Sequence, residues 1–354
     1  MMFAFILAAT IGWILLPLIP AIRELVRPVD ADPLTQVGHD AGDLAIFAQG
    51  FRRYLEREMP PEQPVTSDPM ALSQLRDGTP LLQLNGDGDM LRRVATPDGT
   101  IGRLVVAHDR LVLPGRETFL YELLVRERFV GGPEAVYRAL LAEGQAELGP
   151  RSRVLRWLHV EGDVALREGV VLEGRGSANG TMWLADDVRF RRIRATRLVV
   201  GTADPAPPPI PDPVAHSTLR LPRSSRQLRG FVRVDEPLVI PPGATYVGTL
   251  VVYGDVEVGK EARIAGSLKV HGNCVVEARA IVDGSIVAKG DIRLVEGARV
   301  GGPVIAEGDV AAGPFTCVGR PDAPTSIAAE RITLSNGAQV FGALSARVMG
   351  VATV

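Results

Sequence analysis

Between residues 243 and 314, apolar side chains occupy alternate positions in short runs and polar ones fill the places between them. That two-residue alternation is the period of a strand with one buried face. Four blocks of 18 residues align there without a gap: GATYVGTLVVYGDVEVGK, EARIAGSLKVHGNCVVEA, RAIVDGSIVAKGDIRLVE and GARVGGPVIAEGDVAAGP. The apolar columns are Leu250, Leu268, Ile286, Val304; Val252, Val270, Ala288, Ala306; Val256, Cys274, Ile292, Val310; and Val258, Val276, Leu294, Ala312. Glycine fills two more, at 248, 266, 284, 302 and at 254, 272, 290, 308. Lys269, His271, Lys289, Asp291, Arg293 and Glu307 alternate with the apolar positions and are expected to face outward. Upstream, Gly230, Val232, Val234, Leu238 and Ile240 fit the same columns, and the pattern returns in ERITLSNGAQVFGALSARV after an insertion.

A less regular run precedes it. Gly144, Gly162 and Gly180 are spaced by 18; Ala146, Val164, Met182 and Val200 form one column, and Leu148, Leu166 and Leu184 another. The prolines of ADPAPPPIPDP, 203–213, forbid ladder pairing and separate the two runs. One coil cannot bury its own inner face, so coils stack at about 4.8 Å, and a chain that restates one pattern every 18 residues predicts an all-β fold, a single-stranded β-helix or β-solenoid, in two segments. Glycine is expected at corners whose dihedrals a β-branched residue resists.

Residues 1–22 carry no charged side chain. As a helix they would be about 33 Å long, enough for a hydrocarbon core of about 30 Å. No Lys or Arg precedes this run, while Arg23 and Arg27 follow it. That favours a retained transmembrane anchor over a cleaved leader or a buried core helix, with the bulk of the chain on the cytoplasmic side of the inner membrane. Leu44, Phe47, Phe51 and Leu55 predict an amphipathic helix, packed on the protein itself in preference to lying on the membrane near the anchor. Residues 80–113 read as short strands and turns. The predicted division is 1–22 anchor, 23–120 mixed juxtamembrane region, 121–202 first solenoid segment, 203–227 Pro-rich linker and 228–354 second solenoid segment.

Composition narrows the chemistry. Hydrophobic residues are 46% of the 354 but aromatics only 5%, so the core is built from Val, Ile, Leu and Ala. A net charge of -2 excludes a general nucleic-acid binder. Two cysteines, Cys274 and Cys317, support neither a disulfide framework nor a cysteine-built zinc site and are expected to be buried packing residues. NGDGDM, 85–90, has Met90 where a calcium loop needs glycine, and it reads as a turn. GRGSANG, 174–180, lacks the strand-to-helix setting of a dinucleotide loop. Arg189, Arg191, Arg192, Arg194 and Arg197 form a basic stretch, a solvated rung face or a contact for anionic lipid or polysaccharide. No catalytic, cofactor-binding or metal-binding residue is expected, and no cofactor.

The repeat from about Gly230 to Val348, clearest in GTLVVYGDVEVGKEARIAGSLKVHGNCVVEARAIVDGSIVAKGDIRLVEGARVGG, resembles the bactofilins, bacterial polymer-forming cytoskeletal proteins. The resemblance implies a right-handed β-helix, although an 18-residue coil by itself suits either hand. It also implies nucleotide-free self-assembly through the helix ends, membrane association and a scaffolding role in cell shape or envelope synthesis. This chain is larger than the usual short core, adding a second repeat run and an N-terminal part. The expected partners are other copies of the chain, the inner membrane and envelope-synthesis proteins.

The rival is a hexapeptide-repeat acyltransferase, a left-handed β-helix whose coil is also 18 residues. Ile264, Val270, Val276, Val282, Ala288, Leu294 and Val300 do recur every six. However, glycines 266, 272, 284 and 290 stand two residues after the apolar position rather than directly after it. A general-base histidine needs an organised cleft, and His271 shares its column with Tyr253, Lys289 and Glu307. The expected function is therefore a non-catalytic, self-associating scaffold.

Overall fold

The computed structural model describes residues 44–59, 73–85, 89–201, 217–218, 221–222 and 225–354. The predicted anchor lies outside the described residues, as does most of the Pro-rich linker. Among the described residues no helix is long and apolar enough to cross a membrane.

The chain is an all-β solenoid of about 13 turns with about 18 residues between stacked positions. The first stack is a ladder of parallel strands: β1 (Pro80–Leu84), β2 (Leu104–Ala107), β3 (Thr118–Val125), β4 (Val136–Ala142), β5 (Arg153–Val160), β6 (Val171–Ala178) and β7 (Arg189–Val200). It starts upstream of the 121 boundary drawn from the sequence. The coils before Tyr121 already carry the same stacking: Thr100 pairs with Thr118, Val105 with Leu123 and Leu111 with Phe129, each one 18-residue period on, and only the step from Leu81 to Leu104 is longer. The 146–164–182 column continues at Leu198, and Val200 lies instead under Leu184, because β7 runs through a corner without breaking.

In the second stack the register matches the sequence columns. Leu250 pairs with Leu268, Leu268 with Ile286 and Ile286 with Val304. Val256, Cys274, Ile292 and Val310 likewise follow one another. These side chains are at most 2% exposed and continue one core that runs through both stacks. Each Val or Leu so buried contributes about 1.5–3 kcal/mol, before the entropy of ordering it.

The first coil of this stack is β8 (Phe231–Val234), β9 (Leu238–Ile240) and β10 (Ala244–Val247); its last strands are β11 (Thr325–Ser335) and β12 (Gln339–Thr353). The two stacks meet at β7 and β12, which pair antiparallel: Phe190 opposite Gly350, Ile193 opposite Leu344, Leu198 opposite Val340. They therefore join at their carboxyl-terminal coils. Gly201 is at this junction, and Ser217 pairs with Ala244 in the far terminal coil. The two described ends of the 202–216 connection thus lie at opposite ends of the second stack.

The glycine columns have a different cause from the one expected. None of Gly254, Gly266, Gly272, Gly284, Gly290, Gly302 and Gly308 has a positive φ. A Cβ at Gly272, Gly290 or Gly308 would overlap the Oδ1 of Asp255, Asn273 or Asp291 in the coil below. Those side chains form a ladder: Asp255 Oδ1 accepts from Asn273 N at 2.7 Å, Asn273 Oδ1 from Asp291 N at 2.9 Å, and Asp291 Oδ1 from Asp309 N at 2.8 Å. The glycines make room for it. Within these columns only Gly248 has a positive φ, and positive φ recurs instead at another corner, the column Gly243, Glu261, Arg279, Gly297, Phe315 and Gly337. Three of its six members are not glycine, a conformation uncommon for L-residues. Stacked charge supports two of them, with Arg279 Nη2 2.5 Å from Glu261 Oε1. The first stack repeats the device at Arg116, Glu134 and Arg151, where the hydrogen bond from Arg151 and the charge of Arg116 hold the Glu134 carboxyl below its usual range.

The core is covered at both ends. At one, helix α2 (Asp89–Val94) lays Leu91 into it, with Met90 and Val94 alongside. At the other, Leu221 and Tyr246 pack on it. Backbone edges are less complete: among the described residues, Leu238–Ile240 pairs only with Val256–Val258.

Candidate functional site

Helix α1 (Ile46–Glu58) lies on the outer face of the first stack, as its apolar spacing predicts. Leu44, Ala48, Phe51 and Leu55 are buried, and the outward columns beneath them are apolar, with Leu124, Leu141 and Trp157 covered. Phe47 departs from the prediction. It is 46% exposed, with the Arg175 guanidinium carbon 4.9 Å from its ring centroid.

Towards the junction these columns turn polar. The stacked series Leu124, Leu141, His159, Ser177, Arg194 replaces apolar contact with hydrogen bonding. His159 Nδ1 is 2.8 Å from Ser177 Oγ, and its Nε2 is 3.4 Å from Glu161 Oε1. Glu161 accepts from Arg52 Nη2 of α1 at 2.5 Å and from Asn179 Nδ2. Burial alone would raise the Glu161 carboxyl, but Arg52 and His159 outweigh it and hold the group below its usual range.

Hydroxyl, imidazole and carboxylate thus stand in the order of a nucleophile, its base and an orienting acid. The surroundings do not complete that chemistry. His159 is 3% exposed, and the Asn179 N–H beside Ser177 is engaged by Val160 O at 3.0 Å, so it is not aimed at a developing oxyanion. The cluster clasps α1 to the rod. The sequence reading missed it, although the signal was there: Ser177 follows His159 by one 18-residue period, inside the GRGSANG segment that the structure places in β6 and the next corner.

Two recesses flank the junction. One, of 390 Å³, lies between Leu44–Ala45, Ser177, Arg194 and Pro321. The other is a trough of 820 Å³ with a floor of Gly174, Ala306, Ala328 and Ser345, rimmed by Arg175, Arg191, Arg192 and Arg347 against Glu173, Glu307 and Glu330. The predicted arginine stretch is β7 itself. Arg189 is bridged to Asp187 at 2.9 Å and Arg197 donates to Gln339 Oε1 at 2.7 Å. Arg191, Arg192 and Arg194 are exposed and make no ion pair among the described residues.

The other candidates from the sequence fall elsewhere. His271 stacks on Tyr253 with centroids 4.1 Å apart, and Arg233 lies over that tyrosine at 4.2 Å. Burial and the neighbouring Lys289, Lys269 and Arg233 hold His271 below its usual range. It belongs to an outer ladder, in neither recess. Cys274 is fully buried, which pushes its thiol up to about 12, whereas Cys317 is only partly covered, and its thiol too is raised by burial. Of NGDGDM, residues 86–88 lie outside the described set, and Asp89 and Met90 open α2. No family model, curated protein or solved structure matches the chain, so its fold and site stand on this geometry alone.

Proposed function

We propose that the chain is a non-catalytic, membrane-anchored scaffold rod of the bactofilin type, which associates with further copies of itself and positions envelope-building machinery. A right-handed winding, an anchor over 1–22 and a cytoplasmic bulk are parts of this reading. The observation that carries it is the incompletely paired terminal coil. Leu238–Ile240 has one strand neighbour among the described residues, and its central residue Val239 is 61% exposed. An open strand edge is a template for pairing with another chain. The test is light scattering and electron microscopy of the full chain in detergent. The expected result is concentration-dependent assembly that Val239→Lys weakens; a monomer at every concentration sinks the reading.

The runner-up is a hexapeptide-repeat acyltransferase, since such enzymes share a solenoid with an 18-residue coil. It predicts acyl-donor binding by calorimetry. The position of His271 in an outer stack with Tyr253, away from both recesses, weighs against it.

A further inference from the structure

We infer that the flank of the rod at the junction, where helix α1 begins, is a surface for anionic lipid headgroups. This rests on the anchoring proposed above and adds to it a side of the solenoid that lies against the bilayer. The first turn of α1 leaves Ile46 55% and Phe47 46% exposed, although the rest of the helix buries its apolar face. Around these two side chains the stacking places guanidinium groups. Arg175 lies over Phe47, Arg192 follows Arg175 in the next coil, and Arg194 shares a recess with Leu44 and Ala45. Arg191 joins Arg192 and Arg175 on the rim of the trough.

The charges around this flank do not cancel. Arg153 bridges Glu173, and Arg347 bridges Glu330 at 2.6 Å. That leaves Glu307 to oppose Arg175, Arg191, Arg192 and Arg194, none of which makes an ion pair among the described residues. A cation–π contact alone accounts for Arg175 but not for three further arginines on the neighbouring strand. Guanidinium is weakly hydrated and its fork matches phosphate oxygens. Exposed apolar side chains beside a basic strip match a headgroup layer, where apolar area can sink and charge can stay at the surface. Only residues 23–43 separate the charge-free run 1–22 from Leu44. A run held in a bilayer therefore keeps this flank within reach of the headgroups.

The test uses the full chain carrying Ile46→Cys and Cys317→Ser, labelled at position 46 with a polarity-sensitive fluorophore; Cys274 is buried and inert. The chain is reconstituted into nanodiscs of phosphatidylcholine alone or mixed with phosphatidylglycerol. The expected result is a blue-shifted, lipid-quenchable label in the anionic discs only, reversed by salt. Arg191→Gln with Arg192→Gln should weaken this apposition roughly 25-fold, since each basic residue at such a surface is worth about a five-fold change. A label equally exposed in both lipids, or indifferent to the arginines, overturns the inference and leaves the anchor standing. Arginine-dependent capture by anionic discs without insertion into phosphatidylcholine overturns the anchor and keeps the inference. Failure to associate with either disc overturns both.

Discussion

The ring of Phe190 occupies the space that a side chain at position 350 would need, across the antiparallel seam where the two stacks meet. A Cβ added at Gly350 would overlap three atoms of that ring. Gly350→Val is therefore expected to destabilise the protein by about 1–3 kcal/mol, the usual cost of overpacking. Thermal denaturation of the single variant and of its pair with Phe190→Ala checks this. The two changes should be coupled, because the smaller residue at 190 frees the space the valine needs.

The Asx ladder makes a second prediction. Gly290→Ala places its methyl group on Asn273 Oδ1, with Gly272 backbone 3.0 Å away. The expected loss is about 1–3 kcal/mol. Asn273→Gly alone removes the acceptor for Asp291 N and should cost about 1 kcal/mol. In denaturant titrations the double variant should lose less than the sum of the two.

Tyr137 is fully buried between Phe119 and Phe129, with ring centroids 5.5 and 5.6 Å away. Its hydroxyl has no hydrogen-bond partner among the described residues. Tyr137→Phe keeps the ring and removes the unmet polar atom. It is expected to stabilise by about 1 kcal/mol or more, and a fall in melting temperature would contradict the packing described here.

Acid should loosen α1 before it loosens the solenoid. Glu161 has a folded pKa below its unfolded value, so its contribution is fully present above the unfolded value near 4.5. It is lost as pH falls through the lower folded value. Hydrogen exchange at decreasing pH should show residues 46–58 losing protection in that window while the central strands keep theirs. Arg52→Gln should lower helix protection already at neutral pH and flatten its dependence on acid.

The two thiols should differ in accessibility and agree in sluggishness. Burial raises both, Cys274 to about 12. In the native protein at mildly alkaline pH, alkylation of Cys317 should be slow and that of Cys274 should await unfolding. Mass spectrometry of the two peptides during a denaturant series reads this directly; rapid native labelling of Cys274 would contradict the buried column.

How far the sequence was legible depended on where each contact lies along it. Leu250, Leu268, Ile286 and Val304 stack as their 18-residue spacing implies, because their contacts are one period apart. The pairing of Ile193 with Leu344 joins positions with no periodic relation, and a period cannot say which end of one stack meets which end of the other. Helix α2 was not foreseen, being six residues long and held by tertiary packing rather than propensity. The left-handed corner was hidden because Glu261, Arg279 and Phe315 occupy it where glycine would have marked it. The glycines that were conspicuous mark something else, the room needed above Asp255, Asn273 and Asp291. The His159–Ser177 contact was within reach of the period but not of any motif, since it takes two coils to assemble.

The gapless columns make distance a quantity the chain can be edited in. Removing residues 266–283 would join Ala265 to Gly284, and each column would close on the next member of its own kind. The far terminal coil would then stand about 4.8 Å nearer the seam, with the seam itself untouched. Duplicating the same residues would move it outward by the same step. The second stack is a ruler graduated in single coils, and it sets how far from helix α1 anything docked on Leu238–Ile240 is held.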